Sequence, residues 1–151
     1  MTQSKATIEL MRQALQEAVS TKEKLNSLDD SVSATIKSIE KALMNLKLGF
    51  RISAKQAINE SDAVEYLEFQ KWGNEWRLTY ATSHEVFDDY SVKALSDCNR
   101  DTRARTLTEL LPQLVLNVSK SLQDRIAERE QAITTGQEIR ELISNLDDIP
   151  F

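Results

Sequence analysis

Turn-forming residues are scarce in this chain: three glycines and two prolines among 151 residues, with a single cysteine and a single histidine. So few breakers leave little room for tight turns, which favours long helices. One cysteine, Cys98, excludes an intrachain disulfide framework and suits a reducing cytoplasm. No apolar run approaches the roughly 18 residues that a membrane span needs. The first residues, with Glu9 and Glu17 among them, read as neither a signal nor a transit peptide. A basic excess is also lacking. The formal net charge of −5 speaks against a broad surface for duplex DNA. There is no glycine-rich phosphate loop, no Ser-His-Asp set and no CxxC pair, so the expectation is a protein without enzymatic activity, cofactor or metal.

What is present is ordinary for a soluble folded protein: 40% hydrophobic and 28% charged residues in a length that suits one domain, residues 1–146, followed by a short tail, 147–151. The clearest period lies in residues 4–46. Met11, Ala18, Leu25, Val32, Ile39 and Leu46 recur every seven residues, flanked by Ile8, Leu15, Ile36 and Leu43. That spacing makes one apolar face on a helix, a seam that needs a partner. Ser27, Asp29 and Asp30 are cap-type residues, so a break near 27–31 stands beside one continuous helix.

The period then changes to two. Leu48, Phe50 and Ile52 alternate with Gly49, Arg51 and Ser53, predicting a strand over 48–53, and residues 54–62 read as a polar loop or helical turn. Strands over 64–71 and 76–82 flank Gly73-Asn74, a pair suited to a two-residue hairpin turn. With that turn Phe69 faces Leu78 and Leu67 faces Tyr80. One face then holds Leu67, Phe69, Trp76, Leu78 and Tyr80, and the other Glu68, Gln70, Arg77 and Thr79. Tyr90–Val92 is a candidate for a further short strand.

The helical period returns over residues 97–146 through Ala104, Leu111, Val118, Ala132, Ile139 and Leu146. Pro112 should kink this helix or join a short helix to a long one. Arg125 and Arg129 interrupt the seam and are expected to pair with Glu17, Glu23 or Asp29. The expected fold is α+β and mostly helical: two long antiparallel helices, coiled-coil-like, with a small antiparallel β-meander inserted between them. Two helices leave much of each stripe open, and a homodimer forming a four-helix bundle would close it.

The chain ends in Asp147-Asp148-Ile149-Pro150-Phe151. These five residues resemble the acidic tip of bacterial single-stranded DNA-binding protein, which ends in acids followed by Ile-Pro-Phe. The acidic run is shorter here, and the body does not resemble that family's all-β oligonucleotide-binding barrel. The resemblance implies that the Phe151 ring fills an apolar pocket on a partner while its α-carboxylate meets a basic residue. Pro150 would limit the entropy lost on docking, Ile149 would add apolar contact, and Asp147 and Asp148 would face a basic rim. The partners it implies are exonuclease I, a RecQ-class helicase, PriA, RecO and the polymerase III chi subunit, recruited by this chain or contested with the single-stranded DNA-binding protein. A helix-rich carrier of such a tip fits a phage or mobile-element factor in DNA replication, recombination or repair. Two alternatives stand beside this reading: a tail folded back onto its own bundle, and an engineered fusion of the peptide.

Other clusters have plainer readings. His84, Glu85, Asp88, Asp89 and Tyr90 hold metal-ligand types but lie in a polar stretch that reads as a solvated loop. Cys98, with Arg100 and Arg103 close by, reads as a packed helix-start residue rather than a nucleophile. Arg100, Arg103 and Arg105 form the one basic cluster, with Lys93 upstream. With Trp72 or Tyr66 exposed they would bind single-stranded nucleic acid; the alternative is local salt bridges, since Asp97 and Asp101 dilute the charge.

Overall fold

The computed structural model describes residues 2–58, 63–84 and 91–147. Helix α1 spans Thr2–Asn45, and four strands follow: β1 (Ile52–Ala57), β2 (Ala63–Trp72), β3 (Glu75–His84) and β4 (Ser91–Ala94). A 3-10 turn at Leu95–Asp97 leads to α2 (Arg100–Thr108) and α3 (Leu110–Asp147). The molecule is mostly helical, with long helices at both ends of an inserted antiparallel meander of order β1-β2-β3-β4.

The first helix is continuous. Ser27 and Asp30 lie inside it, and hydroxyls at Ser31 and Thr35 bond back to the carbonyls of Ser27 and Ser31 rather than capping a break. Its 44 residues make a rod about 66 Å long at 1.5 Å per residue. The chain leaves it through two left-handed residues, Lys47 (φ 50°) and Gly49 (φ 73°).

The hairpin has the register that the sequence pattern predicts. Trp72 pairs with Glu75 around a turn at Gly73 (φ 67°), Phe69 with Leu78, and Leu67 with Tyr80. Phe69, Leu67 and Leu78 are fully buried, and each such side chain contributes about 1.5–3 kcal/mol of apolar transfer. β1 departs from expectation. It begins at Ile52, four residues late, and continues through residues expected in a loop, with Ile52 opposite Phe69 and Ala57 opposite Val64. Leu48 and Phe50 owe their apolar character to packing on the core from outside the sheet. Ser53, Lys55 and Gln56 are tolerated in β1 because it is an edge strand, with Ile52 and Ala54 buried and Ser53 and Lys55 in water. β4 pairs Thr79–Thr82 with Ser91–Ala94, so it starts just after Tyr90.

The expected helix over 97–146 is two helices. Asn99 caps α2, its Oδ1 accepting the Thr102 N–H at 2.8 Å. Glu109 ends α2, and Pro112 falls in the first turn of α3, where its missing N–H breaks no helical bond. Pro112 therefore marks the junction between a short helix and a long one.

The core lies where the sheet meets the inner ends of the long helices. Ile36 and Leu43 of α1 join Ile52, Leu67, Phe69 and Leu78 of the sheet, Leu95, and Leu110, Leu111, Leu114 and Val118 of α3. The two helices dock on different parts of this head: α1 on α2 and β3, α3 on β1, β2 and α2. As a result, their outer stripes do not cover each other. Ile8, Met11, Leu15, Val19, Leu25 and Leu28 of α1 are exposed, as are Ile126, Ile133, Ile139, Leu142, Ile143 and Leu146 of α3. Leu15 at 68% and Leu142 at 64% are as open as surface polar residues. The ion pairs expected between these stripes are also absent among the described residues. Arg125 instead stacks over the Phe50 ring, 3.6 Å from its centroid, Arg129 lies 3.7 Å from Glu128, and Asp29 pairs with Arg100 at 3.6 Å. Among the described residues no helix is long and apolar enough to cross a membrane.

Candidate functional site

α3 carries the chain to the tail. Its outer part, beyond Arg125, projects from the head with an apolar stripe that is still open at Leu146. Asp147 is the last residue of α3, while Asp148, Ile149, Pro150 and Phe151 lie outside the described residues. The tail therefore starts at the outer end of a 38-residue helix, about 57 Å long. An apolar surface, Ile139, Leu142, Ile143 and Leu146, lies immediately before it.

The arginine cluster is divided among three neighbourhoods. Arg100 reaches α1, bonding Asn26 Oδ1 at 3.2 Å and pairing with Asp29. Arg105 turns to the sheet, where its Nη2 lies 2.8 Å from Glu65 Oε2 and 3.2 Å from the Tyr80 hydroxyl. Glu65 is 2% exposed and also accepts from Gln56 Nε2 and, at 2.7 Å, from the Tyr80 hydroxyl. Gln56 in turn bonds Glu109 at 2.8 Å, tying β1 to the α2–α3 junction. Burial, then the hydrogen bond to the Glu65 carboxylate, pushes the Tyr80 phenol up to about 12. This network is a structural lock, since every polar atom it buries around Glu65 is spent on another. Trp72 is exposed at the hairpin tip, seven residues along β2 from Glu65, or about 23 Å at 3.3 Å per residue. The structure does not bring Trp72 and Arg105 together as one stacking and phosphate-binding surface.

Arg103 has the third neighbourhood. Its Nη1 donates to the Ser96 carbonyl at 3.1 Å, and its buried Nε has no hydrogen-bond partner among the described residues. It lines a pocket of about 390 Å³ with Ser33 and Lys37 of α1, Arg77 of β3, and Ser96 and Asp97 of the 3-10 turn. Arg77 bonds the Ser96 hydroxyl at 2.7 Å and lies 3.8 Å from Glu40. Sequence reasoning placed Arg77 only on the polar face of the hairpin and passed over Lys37. No local signal links residues 37, 77 and 103, which only the tertiary fold brings together.

Cys98 is buried between the 3-10 turn and α2, its Sγ 3.6 Å from the Ala94 carbonyl. Burial raises its pKa, outweighing Lys93 and Arg103, so the thiol is protonated at neutral pH and packs as a small apolar group. His84 closes β3, while Glu85, Asp88, Asp89 and Tyr90 lie outside the described residues. Among the described residues no three His, Cys, Asp or Glu side chains cluster as metal ligands.

Comparison with protein-family models, curated proteins and solved structures finds no match.

Proposed function

We propose that this protein is a non-enzymatic adaptor whose tail, Asp147–Phe151, docks on enzymes of DNA replication, repair and recombination. The observation that carries this reading is the order Asp-Asp-Ile-Pro-Phe placed directly after a helix that stands clear of the head. The chemistry follows the resemblance to the tip of single-stranded DNA-binding protein. Phe151 supplies ring and carboxylate, Ile149 and Pro150 a preordered apolar edge, and the two aspartates steer toward a basic rim. Exonuclease I, a RecQ-class helicase, PriA, RecO and the polymerase III chi subunit are the candidate partners, recruited or contested. Surface plasmon resonance with each purified enzyme over the immobilised protein tests this. The intact chain should bind at least one enzyme, and Phe151→Ala should bind it about thirtyfold more weakly.

The open stripes support a second component: two copies pair through α1 and α3 as an antiparallel, coiled-coil-like bundle. Counting charged residues, the outer part of α1 (4–28) carries Lys5, Arg12, Lys22 and Lys24 against Glu9, Glu17 and Glu23, a net +1. The outer part of α3 (124–146) carries Arg125, Arg129 and Arg140 against Asp124, Glu128, Glu130, Glu138 and Glu141, a net −2. The opposite signs suit α1 of one copy against α3 of the other. A dimer would display two tails at one target and raise their effective concentration there.

A rival reading rests on the apolar surface at Ile139–Leu146. There Ile149 and Phe151 fold back onto the bundle, and the protein is a coiled-coil scaffold whose partner binds elsewhere. Phe151→Ala would then lower thermal stability and leave partner binding unchanged.

A further inference from the structure

We propose that the pocket between α1, β3 and the start of α2 is an oxyanion site that takes a phosphate group. Three cations from three separate elements line it: Lys37, Arg77 and Arg103. The carboxylates beside them are Asp97, on the wall, and Glu40, which is held by Arg77 at 3.8 Å and by the Leu78 N–H at 2.8 Å. Three positive charges against two negative ones leave the concavity with a net positive charge in a chain whose formal charge is −5. A concave wall concentrates that field and draws anions.

The hydrogen-bonding inventory points to the same ligand. Ser33 and Ser96 place hydroxyls on the wall, and Lys and Arg offer donors only. An acceptor-rich, multiply charged group with several oxygens meets these requirements together, as a neutral ligand does not. A volume of about 390 Å³ holds a phosphate and leaves room for a small substituent. Arg77 shares its sheet face with the exposed Trp72, which stands one alternate position beyond Gln70, the cross-strand partner of Arg77.

The test is isothermal titration calorimetry on the full chain in chloride buffer, with inorganic phosphate, a 5′-phosphorylated dinucleotide and the same dinucleotide without its phosphate. Lys37 is exposed, so Lys37→Gln keeps the fold and removes one donor charge. We expect saturable binding of the phosphate-bearing ligands, weakened about tenfold by Lys37→Gln. Asp97→Asn should tighten it, while Lys24→Gln, outside the pocket, and removal of Phe151 should leave it unchanged. The tighter of the two phosphate ligands identifies the source of the group. The proposal is overturned if neither binds saturably, if Lys37→Gln and Asp97→Asn bind as the parent does, or if the unphosphorylated dinucleotide binds as well as the phosphorylated one.

Discussion

The Arg105 guanidinium lies 2.8 Å from the carboxylate of Glu65, a residue of the central strand β2 that is 2% exposed. One partner is in water and the other is not: the Arg105 side chain is 41% exposed. Removing the exposed partner strands the buried charge. Arg105→Ala should therefore cost about 1–3 kcal/mol of unfolding free energy, below the full penalty for a wholly buried pair because water reaches the arginine side. Urea denaturation of the two proteins checks it. Glu65→Gln should cost less, because it leaves a neutral amide that still accepts hydrogen bonds.

Tyr80 makes the same network sensitive to alkali. Its folded pKa is raised to about 12 against 10.0, so the unfolded chain ionises first as pH rises. Its contribution is complete below pH 10 and is lost between pH 10 and about 12. Tyr80→Phe lacks the phenol and should be less stable than the parent at pH 8. The gap between the two should close as the pH rises through that window, read as the difference in urea midpoint at each pH.

Two glycines should respond to alanine with opposite signs. Gly73 has φ +67° in the hairpin turn, so Gly73→Ala should cost about 1 kcal/mol, although nothing lies within 4 Å of the added methyl. Gly136 sits inside α3 with open space around it, so Gly136→Ala should stabilise the helix by about 1 kcal/mol. Thermal melts followed by circular dichroism give both values.

The bare helix stripes predict assembly. Sedimentation equilibrium should find a mass near twice the 17.2 kDa chain, and Leu15→Glu should shift it to one chain while leaving the head's melting unchanged. A charge placed on a seam that buries leucine loses about 1.5–3 kcal/mol per site, enough to loosen the dimer more than tenfold.

What was legible in the sequence divides along physical lines. The hairpin could be read residue by residue because turn chemistry at Gly73-Asn74 and alternation at Leu67, Phe69, Leu78 and Tyr80 make the same statement. The helical period of α1 and the disturbance at Pro112 follow from rules that act within one or two turns, but those rules left open a break near 27–31 and a kink at Pro112, which the fold resolves as one continuous helix and a junction. β1 was misplaced because Ser53, Lys55 and Gln56 are in a strand only through pairing with β2, a contact that local propensity does not encode. The pairs expected for Arg125 and Arg129 assumed two helices lying along each other, and α1 and α3 dock on different parts of the head instead. Lys37, Arg77 and Arg103 are 40 and 26 positions apart, and no spacing rule joins them.

On the adaptor reading, Phe151 is the group that docks on a partner enzyme. The most direct measurement is fluorescence anisotropy of the labelled protein titrated with whichever purified candidate enzyme binds it, for the parent, Phe151→Ala and a chain extended by one residue past Phe151. Truncating a buried aromatic anchor should weaken binding by about thirtyfold, equivalent to about 2 kcal/mol, and the extension should do the same by displacing the carboxylate. Helical circular dichroism should be identical in all three. Equal affinity of the three proteins, at unchanged helical content, would rule out docking through Phe151.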